Sequence, residues 1–217
     1  LNIADKNKLA YIGAKPGENR DSDSWFTPAD IIARVRWALD RKRGSIDFDP
    51  FSSIAANNRP GGVHAEQFYT KDDDAIRTPW PHARTVFMNP PYGRGVVHGA
   101  IQAFVAHLES GHFERGVVLV NNATETVWYK SLRDCEYLTA VCMPFGRIAF
   151  ENVDGKKVSG NTRGQSILFF DRSLDRRDSQ RRAREAFEGA TGTRGKAHFP
   201  FMGYVDSIQK RDRSANR

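Results

Sequence analysis

The chain has 217 residues, of which 39% are hydrophobic, 11% aromatic and 27% charged, with a mean hydropathy of −0.59. That length suits one domain with a real core, and the composition lies well outside the disordered range. No stretch approaches the roughly 20 consecutive apolar residues that cross a bilayer, and residues 1–20 lack the basic, apolar, small-residue order of a signal peptide.

Net charge is +7, and residues 171–217 hold 12 Lys/Arg against 7 Asp/Glu while residues 1–170 hold 21 against 19. Such an excess, at a pI near 9.6, points to a polyanionic partner such as nucleic acid, or else to a solvated basic helix. Cys135 and Cys142 form neither a metal knuckle nor a disulfide framework, so a reducing cytoplasm is the expected compartment. The chain opens on Leu1, which leaves room for further N-terminal sequence.

Residues 1–24 are polar and without period and read as an entry arm. After Thr27-Pro28, the apolar positions Ile31, Ile32, Val35 and Leu39 recur at helical spacing, with Thr27 as cap and Pro28 in the first turn; this helix ends before Gly44. Strands are expected at 46–48, 63–69, 85–88, 117–120, 137–142, 148–150 and 166–170. Helices are expected at 96–108 and 125–133. Alternation of this kind predicts an α/β fold with a mostly parallel sheet and helices on both faces. Residues 147–150 and 165–170 are joined without room for a crossover helix and read as a terminal antiparallel hairpin. A very basic helix is expected at 175–188 and an irregular tail at 189–217. The division that follows is an arm at 1–24, a domain at 25–170, and a basic helix and tail at 171–217.

In open α/β sheets the ligand lies outside the carboxyl ends of the strands. One such end carries Asp49-Pro50-Phe51-Ser52-Ser53, and another carries Asn89-Pro90-Pro91-Tyr92-Gly93. Asn89 precedes a proline and is held extended, and Pro90 and Pro91 have fixed φ and no amide hydrogens. The resulting rigid arm offers the Asn89 side-chain oxygen and the Pro90 carbonyl as acceptors and Tyr92 as a flat face. An aminated planar base needs that combination. The competing reading is an ordinary strand-ending turn.

Asn89-Pro90-Pro91-Tyr92 resembles the catalytic motif of S-adenosylmethionine-dependent amino-group methyltransferases, above all those acting on adenine N6. The resemblance extends, in order, over Trp25-Phe26-Thr27-Pro28, Asp49 with its small residues, Asp72-Asp73-Asp74-Ala75-Ile76 with Trp80, Thr124-Glu125-Thr126-Val127-Trp128 and Gly146-Arg147-Ile148-Ala149-Phe150. The phage-type Dam family of DNA N6-adenine methyltransferases shows that order, and the similarity covers about residues 25–170. It implies a Rossmann-like class I methyltransferase fold, S-adenosylmethionine as cofactor and double-stranded DNA as partner. It further implies Asn89, Pro90, Pro91 and Tyr92 as catalytic. Trp25, Thr27 and Pro28 fall at the methionine end of the cofactor, with Asp49, Pro50 and Phe51 facing its amino group and Asp74, or else Glu66, near its ribose or adenine. The glycine-rich cofactor turn of many methyltransferases is replaced here by Asp49 to Ser53.

Asn122, Thr124 and Phe150 are candidates for the base pocket, with helix capping by Thr124 and core packing by Phe150 as the structural alternatives. Phe145, beside Gly146-Arg147, is a further aromatic able to close over a flipped base. Arg147, Lys156, Lys157 and Arg163 are candidate DNA contacts. His98, His107 and His112 lack the spacing of a zinc motif, and the glycines after Gly189 lack that of a phosphate loop. RNA adenine and protein glutamine methylation, or a catalytically decayed nucleic-acid binder, are the alternatives on the same motif.

Overall fold

The computed structural model describes residues 25–93, 95–158, 160–173, 175–188 and 203–208. The expected arm at 1–24 and most of the expected tail lie outside the described residues. Seven strands form one sheet: β1 (Phe48–Asp49), β2 (Gln67–Phe68), β3 (Ala83–Met88), β4 (Phe113–Asn121), β5 (Leu138–Pro144), β6 (Gln165–Asp171) and β7 (Gly203–Ser207). Their spatial order is β2-β1-β3-β4-β6-β5-β7. The helices are α1 (Ala29–Leu39), α2 (Ile54–Asn58), α3 (Val96–Glu109), α4 (Val127–Asp134) and α5 (Arg176–Phe187).

The long central strand β4 is apolar on both faces, as a strand covered by helices on each side must be. Its alternation sorts the core into two layers. Val117 and Leu119 join Phe87, Ile167 and Phe169 in a cluster with Ile31, Ile32, Val35 and Leu39 of α1 and Ala183, Ala186 and Phe187 of α5. Val118 and Val120 join Val86, Met88, Leu168 and Phe170 in a second cluster with Ile101, Phe104 and Leu108 of α3 and Tyr129 and Leu132 of α4. Gly116 lets α3 come close, because a Cβ there would stand 2.5 Å from the Phe104 ring. α3 begins after Gly95, whose φ of 81° is the left-handed turn out of the Asn-Pro-Pro-Tyr arm.

The sheet is less parallel than the alternation suggests. β1 to β4 are parallel neighbours, whereas β6 pairs antiparallel with both β4 and β5 and β7 pairs antiparallel with β5. Among its described residues the 145–164 connection between β5 and β6 holds no helix, and β6 returns in the opposite direction and inserts between β4 and β5. The hairpin is therefore β5 with β6, and the expected partner at 148–150 is not a strand. Ile148 and Phe150 are apolar because their side chains reach the core; the Ile148 amide donates to Gln165 Oε1 at 3.0 Å instead of to a neighbouring strand. Within the expected irregular tail, Gly203–Ser207 closes the sheet edge as β7. β1 lies at Phe48–Asp49 instead of 46–48, and the 63–69 expectation shrinks to Gln67–Phe68.

The basic helix forms, but its charges are largely used inside the protein. Arg182 is buried and pairs with Asp171 at 2.6 Å and Asp178 at 2.9 Å, Arg184 pairs with Glu188 at 2.6 Å, and Arg41 of the α1 end pairs with Glu185. Among the described residues no helix is long and apolar enough to cross a membrane.

Candidate active site

β1, β3, β4 and β5 all point their carboxyl ends to one rim, since β5 and β4 share β6 as antiparallel neighbour. Residues 50–53, 89–93, 122–126 and 145–164 leave that rim, and residues 26–28 are bonded to it. The described large hydrophobic side chains that stay exposed, Ile54, Tyr92, Val127, Met143, Phe145 and Val153, all lie on those segments or at their edges.

Asn89 follows the buried run Val86, Phe87, Met88 of β3 and is itself half-buried. Its Nδ2 donates to Thr27 Oγ1 at 3.2 Å. Its Oδ1 is buried and has no hydrogen-bond partner. An unmatched buried acceptor costs free energy unless a ligand completes it. Pro90 is buried behind it. Tyr92 keeps 40% of its surface exposed, yet its hydroxyl end is buried and donates to Leu119 O at 3.3 Å; that burial raises the phenol pKa. The ring is thus fixed at its tip and open on its body.

Thr27 is buried and does not cap α1. Pro28 occupies the N-cap position without a side-chain cap bond, which frees the Thr27 hydroxyl for Asn89. Trp25 packs over Phe150, ring centroids 6.3 Å apart and nearly parallel, and its Nε1 is buried without a partner.

Asp49 ends β1 and is 3% exposed. Desolvation pushes its pKa up to about 7, against the opposing pull of the Phe51 amide and the nearby Ser52 hydroxyl. Phe51 N donates to Asp49 Oδ1 at 3.1 Å, and Ser53 caps α2 through Ala56 N at 3.0 Å. Those bonds give the glycine-free loop its shape. Asp74 lies farther out on the turn after β2, with a φ of 47° and an ion pair to Arg77 at 3.4 Å. Glu66 is exposed and offers its amide to Ile46 O.

Past β4, Asn122 accepts from Ser166 Oγ, and Gln165 Nε2 donates to Asn121 Oδ1 at 3.3 Å. Thr124 is exposed and does not cap the helix; Thr126 does, accepting from Tyr129 N at 3.3 Å. Phe150 is buried in the α1/α5 layer. Arg147, Lys156, Lys157 and Arg163 are exposed on the 145–164 segment.

Two residues absent from the sequence reading hold this region together. Arg59 Nη2 donates to Thr27 O at 2.7 Å and pairs with Glu151 Oε2 at 2.9 Å. Nothing in a linear sequence separates Arg59, before Pro60-Gly61-Gly62, from an ordinary surface arginine. Of the three histidines, His107 stacks on Trp80 at 4.7 Å, His112 stacks on His82 at 4.7 Å, and His98 is exposed. No cluster of three or more potential metal ligands occurs among the described residues.

A seven-stranded mixed sheet, helices on both faces and an Asn-Pro-Pro-Tyr arm on the carboxyl rim together define a methyltransferase-like α/β protein. The chain belongs to the Dam family: the family model for DNA N-6-adenine-methyltransferase (Dam) matches residues 15–188, reaching through α5. It is also similar to a DNA N-6-adenine-methyltransferase of Escherichia phage T1, 26% identical over an alignment of 169 residues that covers 70% of this chain and 63% of that protein. The chain thus spans somewhat under two thirds of that relative.

Proposed function

We propose that this chain transfers a methyl group from S-adenosylmethionine to the exocyclic N6 amino group of an adenine flipped out of double-stranded DNA, on a Rossmann-like class I methyltransferase sheet. The observation that carries the reading is the Asn89 Oδ1 acceptor, buried, unpaired and set beside Pro90 and the open ring of Tyr92. The family match supports adenine and DNA, and the relative's name supports the same chemistry.

The cofactor would supply a methyl carbon bound to positively charged sulfur. The residues present fit it: the buried Asp49 carboxyl, with the Ser52 hydroxyl beside it, suits a cationic α-amino group. Trp25, Thr27, Pro28, Pro50, Phe51 and Asp74 complete the proposed cofactor contacts. Asn89 Oδ1 and the Pro90 carbonyl accept the two amino hydrogens of adenine, Tyr92 stacks on its ring, and Pro91 keeps the arm rigid. Those bonds raise electron density on N6 and aim its lone pair at the methyl carbon. With S-adenosylmethionine bound, its methyl would pass from sulfur to N6, and the proton lost from nitrogen would leave to solvent. Positioning and preorganised acceptors supply the rate, with no general base.

Arg147, Lys156, Lys157 and Arg163 are the proposed phosphate contacts, with Asn122, Thr124 and Phe145 at the mouth of the base pocket. Phe150 supports that pocket from the core through its stack on Trp25. Transfer of label from S-adenosylmethionine to duplex DNA, followed by nucleoside analysis, tests the proposal. Labelled N6-methyl-2′-deoxyadenosine supports it; label only in RNA or protein, or none, overturns it.

A further inference from the structure

We propose that Arg59 is a positioning residue for methyl transfer, fixing the 145–164 segment and Thr27 in one relation to Asn89. The inference rests on Asn89 holding the adenine amino group.

Arg59 is 5% exposed. One nitrogen, Nη2, contacts both Thr27 O at 2.7 Å and Glu151 Oε2 at 2.9 Å, and the guanidinium carbon lies 5.4 Å from the centre of the Phe26 ring. Glu151 in turn exchanges backbone bonds with Phe26 at 2.7 and 2.9 Å, and its Oε2 accepts from Ala29 N at 3.4 Å. Residues 26–29 are therefore gripped from one side by Arg59 and Glu151. From the other side Thr27 Oγ1 receives Asn89 Nδ2. Since Nδ2 is taken by Thr27, the amide presents Oδ1 to the base; moving Thr27 turns or releases that amide.

Stability alone is a poor account of this arginine. Its Nε and Nη1 are buried without partners, and a buried, incompletely satisfied charge contributes less than a well-packed apolar side chain. What the charge does supply is a three-contact link from the segment bearing Lys156, Lys157 and Arg163 to Asn89. Contact of that segment with DNA thereby bears on the geometry at the target amino group.

The test is a double-mutant cycle on the full chain, comparing wild type with R59M, T27V and R59M/T27V, with R59K and E151Q added. Tm is measured for each, and single-turnover methylation of duplex DNA and S-adenosylmethionine affinity are compared below the lowest Tm. R59M is expected to slow methyl transfer at saturating S-adenosylmethionine about 10²-fold, the usual cost of a displaced reacting group. R59K recovers part of the rate through a single bond to Thr27 O. R59M/T27V loses no more than the worse single variant, because both act through one contact chain. Unchanged transfer in R59M, or losses that multiply in the double variant, overturns the positioning role. Should R59M not fold, E151Q decides: a slower transfer step at saturating S-adenosylmethionine supports the role, and an unaltered step overturns it. Wild type that places no methyl on DNA adenine overturns the functional reading instead.

Discussion

Asn89 and Thr27 lie 62 positions apart in the chain, and the Asn89 side-chain amide donates to the Thr27 hydroxyl at 3.2 Å. One bond thus spends the donor end of Asn89 within the protein and leaves its acceptor end, Oδ1, buried and unmatched. The substitution Asn89→Ala removes that acceptor. Methyl transfer should fall by about 10²-fold or more, with S-adenosylmethionine affinity nearly unchanged by calorimetry. Retained turnover would exclude Asn89 from the reaction.

Tyr92 separates into a buried hydroxyl and an exposed ring. Tyr92→Phe loses only the bond to Leu119 O, so Tm should drop by an amount equivalent to about 1 kcal/mol while transfer continues. Tyr92→Ala loses the stacking face, worth about 1–3 kcal/mol per base. Its KM for DNA should rise roughly 5-fold to 150-fold. Steady-state kinetics on one duplex distinguishes the two.

Asp49 gives the site a pH dependence with a definite sign. Burial raises its carboxyl pKa from the ordinary 3.8 to about 7, so the folded protein binds a proton that the unfolded chain has released between those values. The group's contribution to stability therefore falls as pH rises from about 4 to 7 and is level above that. A cationic amino group needs the ionised form. Cofactor affinity should weaken below pH 7, and binding near pH 6 should release a proton, read as a buffer-dependent calorimetric enthalpy. Asp49→Asn should raise the ligand-free Tm at pH 8 and abolish the proton release.

Lys156, Lys157 and Arg163 are exposed on the same segment as Glu151. Removing two of these charges, as in Lys156→Ala/Lys157→Ala, should weaken DNA binding and make the log–log salt slope shallower by about 2 if both meet phosphates. Cofactor affinity should not move. A salt slope equal to wild type would place the segment away from the DNA.

Arg182 illustrates positive charge used for folding. Its guanidinium pairs with Asp171, whose side chain is 1% exposed. Arg182→Ala leaves that carboxylate buried with Arg115 at 3.2 Å and the Ser173 amide at 2.8 Å and without its shortest ion pair, which should cost about 3–5 kcal/mol in chemical denaturation. Exposed Arg177→Ala should change stability by no more than about 0.5 kcal/mol.

Much of this protein was legible along the chain because the deciding physics is local. The 3.6-residue spacing of Ile31, Ile32, Val35 and Leu39 makes an amphipathic helix wherever it docks, and the apolar run Val117 to Val120 can be covered only from both faces. Asn89-Pro90-Pro91-Tyr92 constrains its own backbone, so its rigidity and acceptors follow from residue identity. Pairings between distant segments carry no such mark. Ile148 and Phe150 look like a strand because burial, not a ladder, selects their side chains. Gly203–Ser207 becomes an edge strand because β5 offers it an open row of hydrogen-bonding groups. Thr27 serves Asn89 instead of capping a helix because tertiary contact brings the two side chains together. Arg59 acquires a role only when folding buries it against Thr27 and Glu151. Periodicity and backbone restriction are properties of neighbours in sequence, whereas the partner of a buried polar atom is chosen by the packing of the whole chain.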